Sequence, residues 1–226
     1  IALREHGATA DEIATAFGHA SSDSIRPAIS VARQWLGKNP RTGRFHLPNA
    51  NETPAAQQRG IGVYQVEDLL IDANLFRRLR ARGQARGTDG INDLETALNL
   101  VTGRPFDQLR SRGGSWIVDT GIEHHLVCAI ADVAHLLTIH YQQTGQLDLA
   151  RAATETALIA APSDSTARLD LAAITKAEGH LDEARRIIRE DICNVADEDG
   201  LPADIGARTE EILAGLTWRR AEHVAS

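Results

Sequence analysis

Thr144-Gly145-Gln146-Leu147-Asp148-Leu149-Ala150 and Glu178-Gly179-His180-Leu181-Asp182-Glu183-Ala184 are one pattern written twice. Gly145 to Gly179 is 34 residues, and Ala150 to Ala184 is the same 34. Each residue type has a physical reason to recur. Gly ends one helix in a turn that needs positive φ. The Asp that follows lies near the start of the next helix, where its carboxylate can satisfy free N–H groups. The Ala sits where two helices cross, and a larger side chain there would push them apart.

A period of about 34 residues is that of a tetratricopeptide helix pair. Pro162, twelve residues after Ala150, closes the second helix of the first repeat. The second repeat has Ala196 at that place, so it is degenerate or terminal. Upstream, Ile91, Leu94, Ala97, Leu98 and Val101 mark another amphipathic helix, stopped by Gly103-Arg104-Pro105. Trp116 to Tyr141 reads as a longer helix, apolar at 122, 126, 129/130, 133 and 136/137. About seven helices are expected from residue 72 onward. Such an array either offers a concave face to peptides and partner helices, or buttresses a neighbouring domain and dimerises.

The rest of the composition agrees with a helical protein. Aromatic residues are only 4% of the 226, Ala and Leu abound, and Met is absent. A chain without Met that opens on Ile1 in a helical pattern is expected to be part of a longer protein. The net charge of −7 is uneven. The first fifty residues hold six Lys/Arg against four Asp/Glu, whereas residues 101–226 hold twelve against twenty. Contact with nucleic acid is thereby confined to the N-terminal end. Cys128 and Cys193 have no C-x-x-C spacing and read as reduced thiols of a cytoplasmic protein. No signal peptide is visible, and the apolar stretch Leu126 to Leu137, interrupted by Asp132 and His135, is too short to span a bilayer.

At the N-terminal end Thr9-Ala10-Asp11-Glu12 is a capping box, with Ile13, Ala14 and Phe17 as the apolar stripe of a helix that stops at Gly18. Ser24 can cap a second helix with Pro27 in its first turn. Ile25, Ala28, Ile29, Ala32 and Leu36 share its inner face, and Gly37 ends it. A short helix, a tight turn and a longer helix make the helix-turn-helix layout, which is also a common packing motif. On the outer face, Arg26, Ser30, Arg33 and Gln34 are suited to base edges, and Lys38, Arg41 and Arg44 to phosphates. Arg44 to Leu47 and Val63 to Val66 read as two short strands of a hairpin, with polar Pro48 to Gly62 as the tip of a wing.

In this order the parts resemble the actinobacterial regulators of the antibiotic regulatory protein type. These join an OmpR-like winged helix to a bacterial transcriptional activator domain of tetratricopeptide-like helices. Thr9 to Ala14 is similar to that family's first motif helix, and Ile29 to Gly37 to its recognition helix ending in Leu-Gly. Gly62-Val63-Tyr64 resembles its wing strand, and Leu69 to Phe76 its entry to the activator domain. Ala97-Leu98 through Gly103-Arg104-Pro105-Phe106 and Asp199-Gly200-Leu201-Pro202 resemble later motifs of that domain. The resemblance covers nearly the whole chain. It departs at Phe17-Gly18-His19, where the family usually has Trp, and at Ala32-Arg33-Gln34-Trp35, where it has an Arg-rich run. The wing tip is also longer than usual, and the N-terminal sheet and most of the first helix are expected to precede Ile1.

Catalytic and metal chemistry find little support. His124 and His125 are adjacent, His135 and His140 are five apart, and no H-E-x-x-H or Cys/His set is present. Gly60-x-Gly62 lacks the rest of a dinucleotide loop, and Gly37-Lys38-Asn39 lacks that of a phosphate loop. No nucleophile elbow exists. The basic run Arg77 to Arg82, with Arg86 beyond, is either a set of phosphate contacts or a solvated helix end countered by the acidic repeats. Trp218 with Arg219-Arg220 is either a last helix packing back or a chain end.

The expectation is therefore a mainly α protein. Residues 1–67 form a winged helix-turn-helix with a small β-hairpin, and 68–226 a tetratricopeptide-like helical domain. Its function is that of a DNA-binding transcription regulator, without enzymatic activity, cofactor or metal. Its partners are double-stranded DNA and, through the helices, a protein or a second copy, with no membrane contact. The alternative is an interaction scaffold whose winged helix no longer reads DNA.

Overall fold

The computed structural model describes residues 1–4, 6–19, 21–110, 117 and 121–193. Trp116, Ala196, the Asp199–Pro202 motif and Trp218 with its two arginines lie outside the described residues, as does the Cys193 side chain. The chain divides into two compact units, one of Ile1–Arg77 with Phe106–Glu123, the other of Arg78–Pro105 with His124–Ser226. The described residues are mainly helical and hold no strand, only two isolated bridges, Ala8 with Tyr64 and Lys38 with Phe45.

In the first unit, α1 (Ala10–Ala16) opens on the expected capping box. Thr9 accepts from the Glu12 N–H, and the Glu12 carboxylate accepts from the Thr9 N–H at 2.7 Å. α2 (Ser22–Leu36) starts two residues earlier than the Ser24 cap implies. Ser21 is its N-cap without a side-chain bond, and Ser24 instead donates its hydroxyl to the Ser21 carbonyl at 2.6 Å. Pro27 consequently lies inside the helix, leaving the Asp23 carbonyl without its backbone donor near the exposed surface. Ile25 and Ile29 are buried and Ala32 and Leu36 half-buried against Ile13, Ala14, Leu47 and Tyr64, whereas Ala28 faces solvent.

The expected hairpin of 44–47 with 63–66 forms no strand ladder among the described residues, although the two segments meet where the Glu67 N–H donates to the His46 carbonyl at 2.8 Å. Phe45 pairs back with Lys38, closing a tight loop in which buried Asn39 accepts from the N–H groups of Arg41 (2.8 Å) and Thr42 (3.3 Å). Tyr64 pairs with Ala8, each N–H donating to the other's carbonyl. What intervenes is a helix, α3 (Pro54–Arg59), rather than a polar tip. Thr53 caps it by accepting from Ala56, and Pro54 occupies its first position. Thr53 also donates to the Val63 carbonyl at 2.8 Å, which fixes Val63 against Ala55 and Ala56. Thr-Pro followed by Ala-Ala-Gln-Gln is a helix-start signature, and here it outweighs the strand pattern on either side.

α4 (Asp72–Arg86) buries Ala73, Phe76 and Leu79 along one side. In the second unit its last turns meet a 3₁₀ turn (Gly87–Gly90) and α5 (Ile91–Leu98). An added Cβ on Gly90 would lie 2.0 Å from the Gly83 carbonyl oxygen, so backbone passes against backbone there. Three of the five arginines of α4 are engaged with carboxylates. Arg82 grips Asp93 with two donors at 2.7 and 2.5 Å, Arg86 approaches it at 3.5 Å, and Arg80 reaches Asp132 at 3.0 Å. At these three positions the charge is countered within the chain, at Arg82 and Arg86 by Asp93, which lies outside the repeats.

Phe106 is followed by a single turn, α6 (Asp107–Arg110). The repeat is then visible as helix pairs. α7 (Ile122–Gln143) and α9 (Ser165–Ala177) end 34 residues apart, and α8 (Leu147–Ala160) and α10 (Leu181–Ile188) begin 34 apart. Gly145 and Gly179 supply the positive φ of the intervening turns, at 74° and 92°. Ala150 and Ala184 are fully buried. Asp148 and Asp182 lie in the first turns of α8 and α10, as expected, although the N-cap residues Gln146 and His180 make no side-chain cap bond.

α7 is longer than its apolar stretch, and by length and composition it could cross a membrane, with a mean hydropathy of 1.3 over its most apolar 18 residues. Half of that stretch is buried, and polar bonds tie the helix into the second unit. His135 Nδ1 lies 2.9 Å from the Asp170 carboxylate of α9, and the buried hydroxyls of Thr138 and Thr154 are 2.9 Å apart. Tyr141 donates to Glu95, and burial followed by that carboxylate raises its phenol well above the usual range. Arg151 of α8 binds the Glu178 carboxylate that ends α9, which holds Glu178 below the usual carboxylate range. α7 is thereby packed against α5, α8 and α9 within the second unit.

Candidate nucleic-acid interface

Three turns of α2 lie open to solvent, and the helix period sorts their side chains. With Ile25, Ile29, Ala32 and Leu36 turned inward, steps of about 100° per residue put Asp23, Pro27, Ser30 and Gln34 on the outermost line. Arg26 and Arg33 fall on one flank, and Ala28, Val31 and Trp35 on the other. Ser30 and Gln34 are exposed and retain their full hydrogen-bonding capacity toward a ligand. Arg26 is exposed and pairs with Asp23 at 3.2 Å, an i,i+3 contact that water and salt weaken.

Arg33 is placed differently from the expectation. Its Nε donates to the Leu47 carbonyl at 2.7 Å and its Nη2 to the Pro48 carbonyl at 3.2 Å. The guanidinium clasps the loop that follows the Lys38–Phe45 bridge, and a bidentate approach to a base edge is closed to it.

The three phosphate candidates sit on or beside that loop. Lys38 lies 4.9 Å over the Phe45 ring. The Arg41 backbone is fixed by Asn39 and its residue is exposed. Arg44 is 3.8 Å from Glu67, at a distance and exposure where the pairing is weak. Asn39 anchors the loop from below, donating to Asp68 at 2.9 Å. The fold therefore gathers Arg26, Ser30 and Gln34 on α2 and Lys38, Arg41 and Arg44 after it, and withdraws Arg33.

Two features of this surface escaped the sequence. Val31 and Trp35 are 70% and 83% exposed, an apolar strip four residues apart on an otherwise polar helix. Trp35 reads as core by type alone; only its position relative to Ile29 and Ile25 on the helix wheel turns it outward. The second is a cleft of about 800 Å³ between the start of α1 and the 49–51 and 59–64 segments, with Arg26, Arg59, Asp11, Asn51 and Tyr64 among its lining. Glu12 at its edge is held below the usual carboxylate range, chiefly by the Thr9 N–H, with Arg59 3.5 Å away.

Outside this surface, no group of three or more metal-binding side chains gathers among the described residues. No family model, no curated protein and no solved structure matches this chain.

Proposed function

We propose that the protein is a DNA-binding transcription regulator of the cytoplasm, without catalytic activity of its own. α2 enters the major groove of duplex DNA. Arg26, Ser30 and Gln34 meet base edges, and Lys38, Arg41 and Arg44 hold phosphates. The tight loop closed by Lys38 and Phe45 takes the part of the wing, at the end of α2 rather than as a hairpin from 63–66. The tetratricopeptide-like helix pairs serve dimerisation or a protein partner.

The observation that carries this reading is the open polar line of α2 leading directly into an exposed basic loop. Its test is duplex binding by the full chain to labelled promoter fragments at several salt concentrations. Binding is expected to fall steeply with salt. Absence of any shift at about 50 mM salt, where phosphate contacts are strongest, would end the proposal.

The exposed Val31–Trp35 strip favours a second reading, an interaction scaffold in which α2 contacts protein rather than DNA. Under that reading Trp35→Ala abolishes partner capture while Arg26→Glu leaves it intact. Under the first, Arg26→Glu abolishes duplex binding.

A further inference from the structure

The open side of α2 carries two kinds of side chain, and hydrogen bonding accounts for only one of them. Val31 and Trp35 stand almost clear of the fold, at 70% and 83% exposure, and Ala28 beside them faces solvent as well. Steps of about 100° put Val31 about 60° from Gln34 and about 40° from Trp35. Val31 thus borders the outermost line of Ser30 and Gln34, and Trp35 continues the apolar strip one turn toward the basic loop. From Ser24 to Asn51 the chain holds five Lys/Arg and no Asp/Glu. Exposed apolar side chains set in so cationic a segment fit a polyanion that displays apolar groups between its charges.

We propose that Val31 and Trp35 read the C5 methyl groups of two thymines in the major groove, so that the site of α2 is a duplex with two thymines close together. The inference rests on the reading of α2 as the helix that enters DNA, and it adds what that helix selects. In the major groove thymine alone presents an apolar group; every other group displayed there is a hydrogen-bond donor or acceptor. Valine has no polar atom to offer such groups, and the indole of Trp35 has a single donor. Set against the edge of adenine, guanine or cytosine, Val31 takes water from a polar group and returns no hydrogen bond. Set against a thymine methyl, it removes apolar surface of both partners from water. Selection therefore acts from both directions, toward thymine and away from the other three bases.

The helix also sets the spacing. Side chains at i and i+4 stand about 5–6 Å apart, and successive bases of a strand are about 3.4 Å apart. The two methyls consequently belong to thymines one or two base pairs from each other.

The test is selection by the full chain from duplexes with a randomised core at about 50 mM salt. The selected duplexes are then resynthesised with deoxyuridine in place of thymidine, since uracil pairs as thymine does and lacks only the C5 methyl. The selected sequences are expected to share two thymines one or two base pairs apart. Uracil at either should weaken binding about fourfold per methyl, and uracil elsewhere should change nothing. Val31→Ala and Trp35→Ala should each lose the response to one of the two uracils and keep the salt dependence of binding. Both positions are exposed, so neither change disturbs the packing of α2.

Three results would overturn the proposal while leaving duplex binding in place: no shared thymine pair, equal affinity for uracil and thymine, or a uracil response undiminished in both variants. A Trp35→Ala chain that binds every duplex as wild type does would also overturn it, and would assign the strip to a protein partner. Failure to enrich any duplex removes the reading of α2 itself, and the thymine contacts with it.

Discussion

Arg33 of α2 binds the backbone of Leu47, donating from Nε at 2.7 Å, and extends the same guanidinium to Pro48. A cation facing the presumed ligand surface is thereby converted into a strut between the helix and the loop that follows it. Hydrogen bonds from a charged donor contribute about 1.5–3 kcal/mol each where they are shielded, and less at a half-exposed position such as this. Arg33→Ala is expected to destabilise the protein by about 1–2 kcal/mol in urea unfolding. It should weaken DNA binding to similar degrees on all sequences. Unchanged stability with loss confined to one base position would contradict the strut.

The DNA contacts separate by salt dependence. Arg26→Ala and Gln34→Ala remove candidate base contacts and should each cost about 1–3 kcal/mol on a specific site, with little change in salt slope for Gln34. Lys38→Ala and Arg41→Ala should weaken all duplexes alike and lower the log–log salt slope by about 1 each. Fluorescence anisotropy on matched and scrambled duplexes distinguishes the two classes. Equal slopes throughout would mean that the loop touches no phosphate.

The capping box predicts an acid-side loss. The Thr9 N–H holds the Glu12 carboxyl below its ordinary 4.5, with Arg59 adding to the effect. A depressed folded value means the contribution is complete above the unfolded value and disappears as pH falls through the folded one. Wild-type stability should therefore decline below about pH 4.5 more than that of Glu12→Gln, which has no such proton to gain. Thr9→Ala should cost about 1 kcal/mol at neutral pH. Parallel pH curves for wild type and Glu12→Gln would show that the box contributes nothing measurable.

The sequence was informative where local chemistry and a period agreed. Thr9 and Glu12 carry their own geometry, and the Gly–Asp–Ala repeat fixed the helix pairs because packing an alanine at each crossing leaves little choice. It misled where a local rule lost to a longer-range one. Ser24 has the right type for a cap, yet the helix starts after Ser21, and the Ser24 hydroxyl donates back to the Ser21 carbonyl instead. The 44–47 and 63–66 segments look like partners, yet with the Thr53–Pro54 helix start between them they form no ladder: Phe45 turns back to Lys38 and Tyr64 pairs with Ala8, while the segments meet at their edge, where the Glu67 N–H donates to the His46 carbonyl at 2.8 Å. Arg33 looked free because the carbonyls that occupy it lie fourteen and fifteen residues away, beyond any spacing rule.

Backbone contact at the α4–α5 corner gives the last prediction. Gly83 has Leu94 side-chain atoms 2.6 Å from the place its Cβ would take, and Gly90 has the Gly83 carbonyl oxygen at 2.0 Å from its own. Gly83 would also meet the Gly90 carbonyl oxygen at 3.0 Å, but its nearest clash is with a buried leucine side chain, whereas Gly90 clashes at 2.0 Å with a backbone carbonyl that moves only with its helix. Overpacking a well-filled site costs about 1–3 kcal/mol, so Gly83→Ala is expected near the lower end and Gly90→Ala at or above the upper. The second change should also open the corner that aligns Arg82 with Asp93. The Arg82–Asp93 coupling in a double-mutant cycle should then shrink in the Gly90→Ala background and persist in Gly83→Ala. If Gly90→Ala proves as stable as wild type, the two backbones do not approach as closely as this corner requires.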